Sequence, residues 1–525
     1  MRRVSFAANV VLAVALLASA ALGADVLVNL SAPTVTFPHF WSRCFGSGHA
    51  ALALRSDWRA QLREAVHDLG LQEVRFHGIF DDDMSVVLQH QSGELFYQYL
   101  NVDSVYDYIL SLGARPIVEL SFMPGHLAKC GPWDPDYPGA NASRCHFVMH
   151  YHGIVQPPAA SNWTAWGALV HDFASHLVAR YGLAEVAEWH FEVWNEQWGM
   201  HYPTRYQPLY EATHDALKAV SPRLRVGGPA SEQCKHVGDF ATRFAGRYDF
   251  VSTHLYPTDP NCTAPAPGAA SRTCFSDTIK RAIADVRAHQ APGDVGKPFF
   301  MTEYNAGLFN ASLLYSSYAA AFLFDNIPRL ADTGLDVWSY WTFSDVFEEN
   351  GLHAAPFGGY NYGAMTVRGV PKPVYRAFQL LHAHAGTQRA AVSVSGGGPD
   401  GSVSGFATWN ATTRRLAVFL SNFAALQFPA PDDAVVNVTI ANVGCSALSS
   451  ARVGFIDADH ANPHAAFVAM GSPTYPTTAQ LAQLHAASEV RFVGAEIAAL
   501  SAGCTITNVR LKSQGVAVIT ADLGQ

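Results

Sequence analysis

Charge is scarce in this chain. Of its 525 residues 15% are Asp, Glu, Lys or Arg, and the formal net charge is -9. No run of Lys and Arg stands out, which argues against a nucleic-acid partner, because phosphate recognition needs clustered cations. Long apolar runs are equally rare. The one candidate, residues 10–17, follows Arg2 and Arg3 and precedes small residues from Ala18 to Ala24. That is the layout of a secretory leader over residues 1–23, too short for a membrane span. No stable membrane association is expected, and the chain is expected to be secreted or lumenal in the secretory or lysosomal pathway. Motifs for cofactors are missing too. Despite 23 histidines there is no His-Glu-x-x-His or Cys-x-x-Cys spacing, so no metal is called for. Gly46-Ser47-Gly48 lacks the third glycine of a dinucleotide fingerprint, and no Gly-x-Ser-x-Gly elbow marks a serine hydrolase.

What is present is apolar substance. Hydrophobic residues make up 49% of the chain and mean hydropathy is +0.06, enough for a large core. The eight cysteines suit an oxidising compartment. Cys130 with Cys145, and Cys262 with Cys274, bracket loop-like Pro/Gly/Asn segments and are the preferred disulfides, with Cys445 to Cys504 a further option. Asn-x-Ser/Thr triplets begin at Asn29, Asn141, Asn162, Asn261, Asn310, Asn410 and Asn437, the pattern of a glycosylated surface in a eukaryotic host.

Short β-rich runs alternate with amphipathic stretches through the middle of the chain. The strands are expected at 44–48, 73–77, 116–122, 189–195, 225–228, 250–256, 298–304 and 336–341. Helical patterns lie between them, among them 58–69, 102–112, 163–181, 209–220 and 278–289. Eight such alternations predict an α/β fold, a closed (β/α)8 TIM barrel over residues 44–388, in preference to an open doubly wound sheet. Beyond Gly386 the texture changes to alternating β segments, predicting a C-terminal β-sandwich accessory domain over 389–525. The Ala-rich part from His460 to Leu500 reads as a helical or irregular insertion. Asp457, Asp459, His460 and His464 read as a solvated loop. Residues 24–43 are expected to add a strand to the sandwich.

Barrel active sites are built where the strands end. The fourth predicted strand ends in Trp194-Asn195-Glu196 and the seventh in Thr302-Glu303-Tyr304-Asn305. Glycosidic cleavage needs one carboxyl group to protonate the leaving oxygen and a second to attack the anomeric carbon. Glu196 and Glu303, on separated strands, can stand on either side of a sugar ring, with Asn195 placed to bind its C2 hydroxyl. A lone buried glutamate can equally be a paired core carboxylate, and that is the reading of Glu192 in mid-strand. Two glutamates ending strands four and seven favour chemistry. A catalytically silent carbohydrate-binding protein, the alternative from another class, has no use for that pair.

The segments Pro38-His39-Phe40-Trp41, Arg75-Phe76-His77-Gly78, Val118-Glu119-Leu120-Ser121-Phe122-Met123-Pro124, Trp194-Asn195-Glu196, Ser252-Thr253-His254-Leu255-Tyr256-Pro257 and Thr302-Glu303-Tyr304-Asn305 resemble glycoside hydrolase family 39. That family holds β-xylosidases and α-L-iduronidases. The resemblance implies a retaining glycosidase acting on an oligosaccharide or glycoside, with Glu196 as acid/base and Glu303 as nucleophile. It further implies His77, Asn195, His254, Tyr256, Trp341 and one of Glu348 and Glu349, with Glu349 preferred, as substrate-binding residues. Gln197 follows Glu196 where the family commonly has proline. An iduronidase must bind a sugar carboxylate with Lys or Arg, yet the sixth strand here ends in Leu255-Tyr256-Pro257, so the β-xylosidase branch is expected and the iduronidase branch is the alternative.

Overall fold

The computed structural model describes residues 22–127, 163–197, 202–263, 271–308, 310–348, 352–359, 362–397, 401–500 and 503–523. Residues 1–21 of the expected leader, Cys130, Cys145 and Glu349 lie outside them.

The eight strands of the central fold are Cys44–His49, Glu73–His77, Arg115–Leu120, His190–Val193, Arg225–Ser231, Phe250–His254, Phe299–Tyr304 and Leu335–Tyr340. They close into one parallel barrel in chain order, each strand at a position read from the sequence. The helices also form where periodicity places them, with small shifts at their starts. Tyr206–Val220, for example, begins three residues ahead of the predicted 209. Pro208 then falls in the first turn, where its missing N–H costs no helical bond.

Inside the barrel the residues change character from bottom to top. Cys44, Ile117, Phe250, Phe300 and Val337 form an apolar plug, with the His190 ring wedged against Phe250 and Phe300. Above it lies a buried polar layer of Arg75, Glu119, Glu192 and Thr302. Strand period explains this layering: in Glu73–His77 the outward Val74 and Phe76 join the helix-facing core while Arg75 and His77 share the inner face. Register breaks between Thr253 and His254 and between Met301 and Tyr304 interrupt the alternation. Thr302 and Glu303 therefore both reach inward, as irregular strand ends allow.

Nine C-terminal strands and two from the N-terminal segment, Leu22–Asn29 and Val35–Thr36, form a single eleven-stranded sheet folded over on itself. Val26, Val436, Val438 and Ile506 of one half meet Leu416, Val418, Leu420 and Ile519 of the other in one core. Leu22–Asn29 lies between Gln388–Gly396, antiparallel, and Ala434–Ala441, parallel. The Ala-rich segment is more ordered than its composition implies. Pro463–Ala469 and Thr478–Ser488 are helices, the second opened by a capping box of Thr477 and Gln480, and two strands follow. Asp457 is buried, not solvated: its Oδ1 accepts the backbone N–H groups of Asp459 and His460, satisfying donors that a tight turn would otherwise leave open.

Sheet and barrel are joined by the helix Tyr318–Leu330. Phe322 faces Trp338 and Tyr304 of the barrel, while Phe324 meets Phe406 and Phe419 of the sheet. Strand Arg415–Asn422 accordingly reads as a continuous apolar run, because Leu416 and Val418 face the sheet core and Ala417 and Phe419 face this helix. Phe324→Ala is expected to cost about 3–5 kcal/mol and to lower the thermal midpoint clearly. Leu100→Ala, at a position 75% exposed, should leave it within about 0.5 kcal/mol of wild type. Non-reducing peptide mapping should recover the Cys262–Cys274 and Cys445–Cys504 links, with the buried Cys44 thiol alkylated only after denaturation.

Candidate active site

At the mouth of the barrel the ends of strands two to eight converge. Glu303, 4% exposed, is gripped at both oxygens: Arg75 Nη1 donates to Oε1 at 2.7 Å and the Tyr256 hydroxyl donates to Oε2 at 2.7 Å. Glu196 follows the fourth strand and is more open. One oxygen of Glu196 and one of Glu303 lie within 4.8 Å of each other, with a His254 nitrogen in the same cluster. His254 Nδ1 stands 3.1 Å from Glu196 Oε1 and 3.5 Å from Glu303 Oε2. Burial, helped by the charge of Arg75, holds the His254 imidazole below its ordinary pKa, so a neutral ring sits between the two carboxyl groups.

Arg75 organises the floor of the site. Its guanidinium is fully buried and pairs with Glu119 at 2.7 Å, Glu192 at 2.5 Å and Glu303 at 2.7 Å. Nη2 also donates to Asn195 Oδ1 at 2.9 Å. That bond fixes the orientation of the Asn195 amide, whose NH2 can donate to a sugar hydroxyl. Burial opposes the charge on Arg75, but the three carboxylates more than reverse this and hold its pKa well above the usual value. Glu192 takes a further hydrogen bond from Thr302 Oγ1, which makes it the paired core carboxylate expected. Burial pushes Glu119 up to about 7 even beside Arg75.

His77 is fixed by Glu119, whose oxygens lie 2.8 and 3.0 Å from Nδ1, leaving Nε2 3.8 Å from Glu303 Oε1. Its ring packs 4.6 Å from Trp341. Trp341 in turn lies over Gly46, where any side chain would collide with the indole. Beyond His77, His49 Nδ1 is 3.3 Å from Asp81 and 3.7 Å from Glu348. Burial and the neighbouring Asp81 raise Asp83 to about 7. Burial lowers the His49 imidazole, but Asp81 and Glu348 more than reverse this and hold its pKa above the ordinary value. Glu348 is buried against His49.

The structure thus brings together His77, Asn195, Glu196, His254, Tyr256, Glu303 and Trp341. Sequence reasoning assigned no role to Arg75 or Glu119, though both stood in the segments singled out. The available signal was a charge alternating with apolar residues inside a barrel strand, at Val74-Arg75-Phe76 and Val118-Glu119-Leu120. Two sets of donors, His77/Glu119/Glu303 and Glu196/His254/Glu303, are close enough to hold a metal ion. In the first, the guanidinium of Arg75 already supplies the positive charge both carboxylates need, so the donor set fits hydroxyl recognition better than a cation.

Comparison with known proteins gives the family. The family model for glycosyl hydrolases family 39 matches residues 25–498. A β-xylosidase of Caldicellulosiruptor saccharolyticus is 35% identical over 467 residues, covering 86% of this chain and 89% of that protein. The crystal structure of a monomeric β-xylosidase from Caulobacter crescentus CB15 superposes with a TM-score of 0.76 at 27% identity, covering 95% of this chain and 99% of that one. Human α-L-iduronidase is 32% identical over 111 residues, 17% of each chain. With a family match running through barrel and sheet alike, the chain belongs to glycosyl hydrolase family 39.

Proposed function

We propose that this chain is a secreted β-xylosidase that works by a two-step retaining mechanism. The observation that carries the mechanism is the approach of Glu196 and Glu303 to within 4.8 Å. Retaining glycosidases hold their carboxyl groups about 5–5.5 Å apart, whereas inverting enzymes leave roughly 6.5–9.5 Å to admit a water. A neutral sugar is favoured because Arg75, the cation beside Glu303, is committed to three carboxylates. Tyr256 stands where an iduronidase would carry a base and spends its hydroxyl on Glu303. The names of the most extensive relatives point the same way.

In the first step a carboxylate oxygen of Glu303, oriented by Arg75 and Tyr256, attacks the anomeric carbon. As that C–O bond forms, the glycosidic C–O bond breaks and Glu196 gives its proton to the departing oxygen. In the second step Glu196, now a carboxylate, takes a proton from water as the water oxygen attacks the same carbon and releases Glu303. The negative charge of Glu303 favours a proton on Glu196 before the first step and no longer does so once the ester has formed.

Proton NMR of the first sugar released should show the configuration of the substrate; an inverted anomer rejects the two-step scheme. Glu303→Ala is expected to abolish turnover, with azide then giving an inverted glycosyl azide. Glu196→Ala should lower kcat/KM on poor leaving groups by about 10²–10⁴-fold, with azide restoring turnover of activated aryl glycosides with retention. On a panel of aryl glycosides, the β-xyloside should be cleaved far faster than the α-iduronide. Iduronide turnover without xyloside turnover reverses the choice of branch, and binding without turnover of any member points to a silent lectin.

A further inference from the structure

Glu196 has a backbone φ of 39°, in the left-handed region where a residue with a β-carbon is strained and persists only when its surroundings impose it. The end of the fifth barrel strand does the imposing. The Glu196 N–H donates to Ala230 O at 2.9 Å. On the other side of the residue, the Gln197 N–H donates to Glu232 Oε2 at 3.1 Å and Gln197 Nε2 donates to Pro229 O at 2.9 Å. Glu232 is buried and its second oxygen is held by Lys235 Nζ at 3.1 Å. The supporting segment is itself bent into place, with Ala230, Gln233, Cys234 and His236 all at positive φ.

We propose that Glu232 is the positioning residue of the acid/base: by accepting the Gln197 N–H, its carboxylate fixes the peptide after Glu196 and aims the Glu196 carboxyl at the glycosidic oxygen. The proposal rests on the reading of Glu196 as the proton donor. Both peptides flanking Glu196 are anchored to the same neighbouring segment, one through a carbonyl and one through a carboxylate. The carboxylate bond is the stronger kind, since a charged acceptor roughly doubles a hydrogen bond. Gln197 supplies the N–H that this arrangement requires; a proline there would have none to give. The hydrogen bonds of Glu232 run to Gln197 and Lys235, so its influence on the reaction passes through the peptide after Glu196.

The experiment uses the full-length enzyme and aryl glycosides of the sugar it cleaves fastest, from 2,4-dinitrophenyl to phenyl. It compares Glu232→Ala, Glu232→Asp and Glu232→Gln with Glu196→Ala. Acid catalysis matters most for basic leaving groups, and a displacement near 1 Å can cost about 10²-fold. Glu232→Ala should therefore lower kcat/KM for the phenyl glycoside by about 10²-fold and leave the dinitrophenyl glycoside nearly unchanged. Glu232→Gln, which still offers an oxygen to the Gln197 N–H, should recover most of the loss. Glu232→Asp keeps the charge but withdraws it by one methylene, and it decides the case if the alanine variant does not fold: a leaving-group-selective loss supports the proposal. Equal losses on all leaving groups, or no loss, overturn it. If Glu196→Ala also lacks leaving-group dependence, the acid/base reading itself falls; if Glu196→Ala shows it and the Glu232 variants do not, the positioning role alone is rejected.

Discussion

One buried guanidinium holds this site together. Arg75 sits on the second barrel strand and binds carboxylates from the third, fourth and seventh, so four strands meet at one cation. Burying charge is costly, and removing one partner of such a pair commonly costs about 3–5 kcal/mol because the remainder is stranded. The network is therefore mutually enforcing: each glutamate offsets the desolvation of Arg75, and Arg75 keeps negative charge tolerable in an apolar barrel. Glu303 belongs to both the network and the mouth of the pocket. Its orientation is thus inherited from the barrel interior.

The chemistry divides along the same line. Glu303 is held at both oxygens by the interior, which suits the nucleophile's part proposed for it. Glu196 is held through its backbone by the neighbouring strand end, with its carboxyl left more open. That openness suits the acid/base part proposed for it, which requires proton exchange first with a glycosidic oxygen and then with water. His254, buried, touches both carboxyl groups through Nδ1, and burial holds its imidazole below the ordinary pKa.

Much of this was legible in the sequence because strand period and strand order are strong signals. All eight barrel strands emerged from short apolar runs, and Glu196 and Glu303 were found as acids ending two of them. Arg75 and Glu119 were harder. Their meaning depends on which residues face each other across a closed barrel, and that is settled by register, not by spacing along one strand. The same limit hid Glu232, which bears on Glu196 through an N–H that any non-proline residue would carry. In the Ala-rich stretch the helical reading fits two segments but misses the two short strands after them, because alanine does not mark which face an element buries. The turn at Asp457 looked solvated because its four acids and histidines are polar; its inward carboxylate serves the backbone instead.

The strand Leu22–Asn29 carries an implication for how the chain is made. Asp25 pairs in register with Ser395, 370 residues further on, and its side chain reaches Asn437 from the other side, 412 residues away. During synthesis at about 5–20 residues per second, this apolar strand leaves the ribosome with neither neighbour yet in existence. The barrel can close while the strand waits, and the sheet core can form only after nearly the whole chain has emerged. Assembly therefore runs in a set order, and for that interval an unpaired β edge is exposed to other nascent copies. Yield of folded protein becomes a contest between translation speed and self-association, decided at residues remote from the active site.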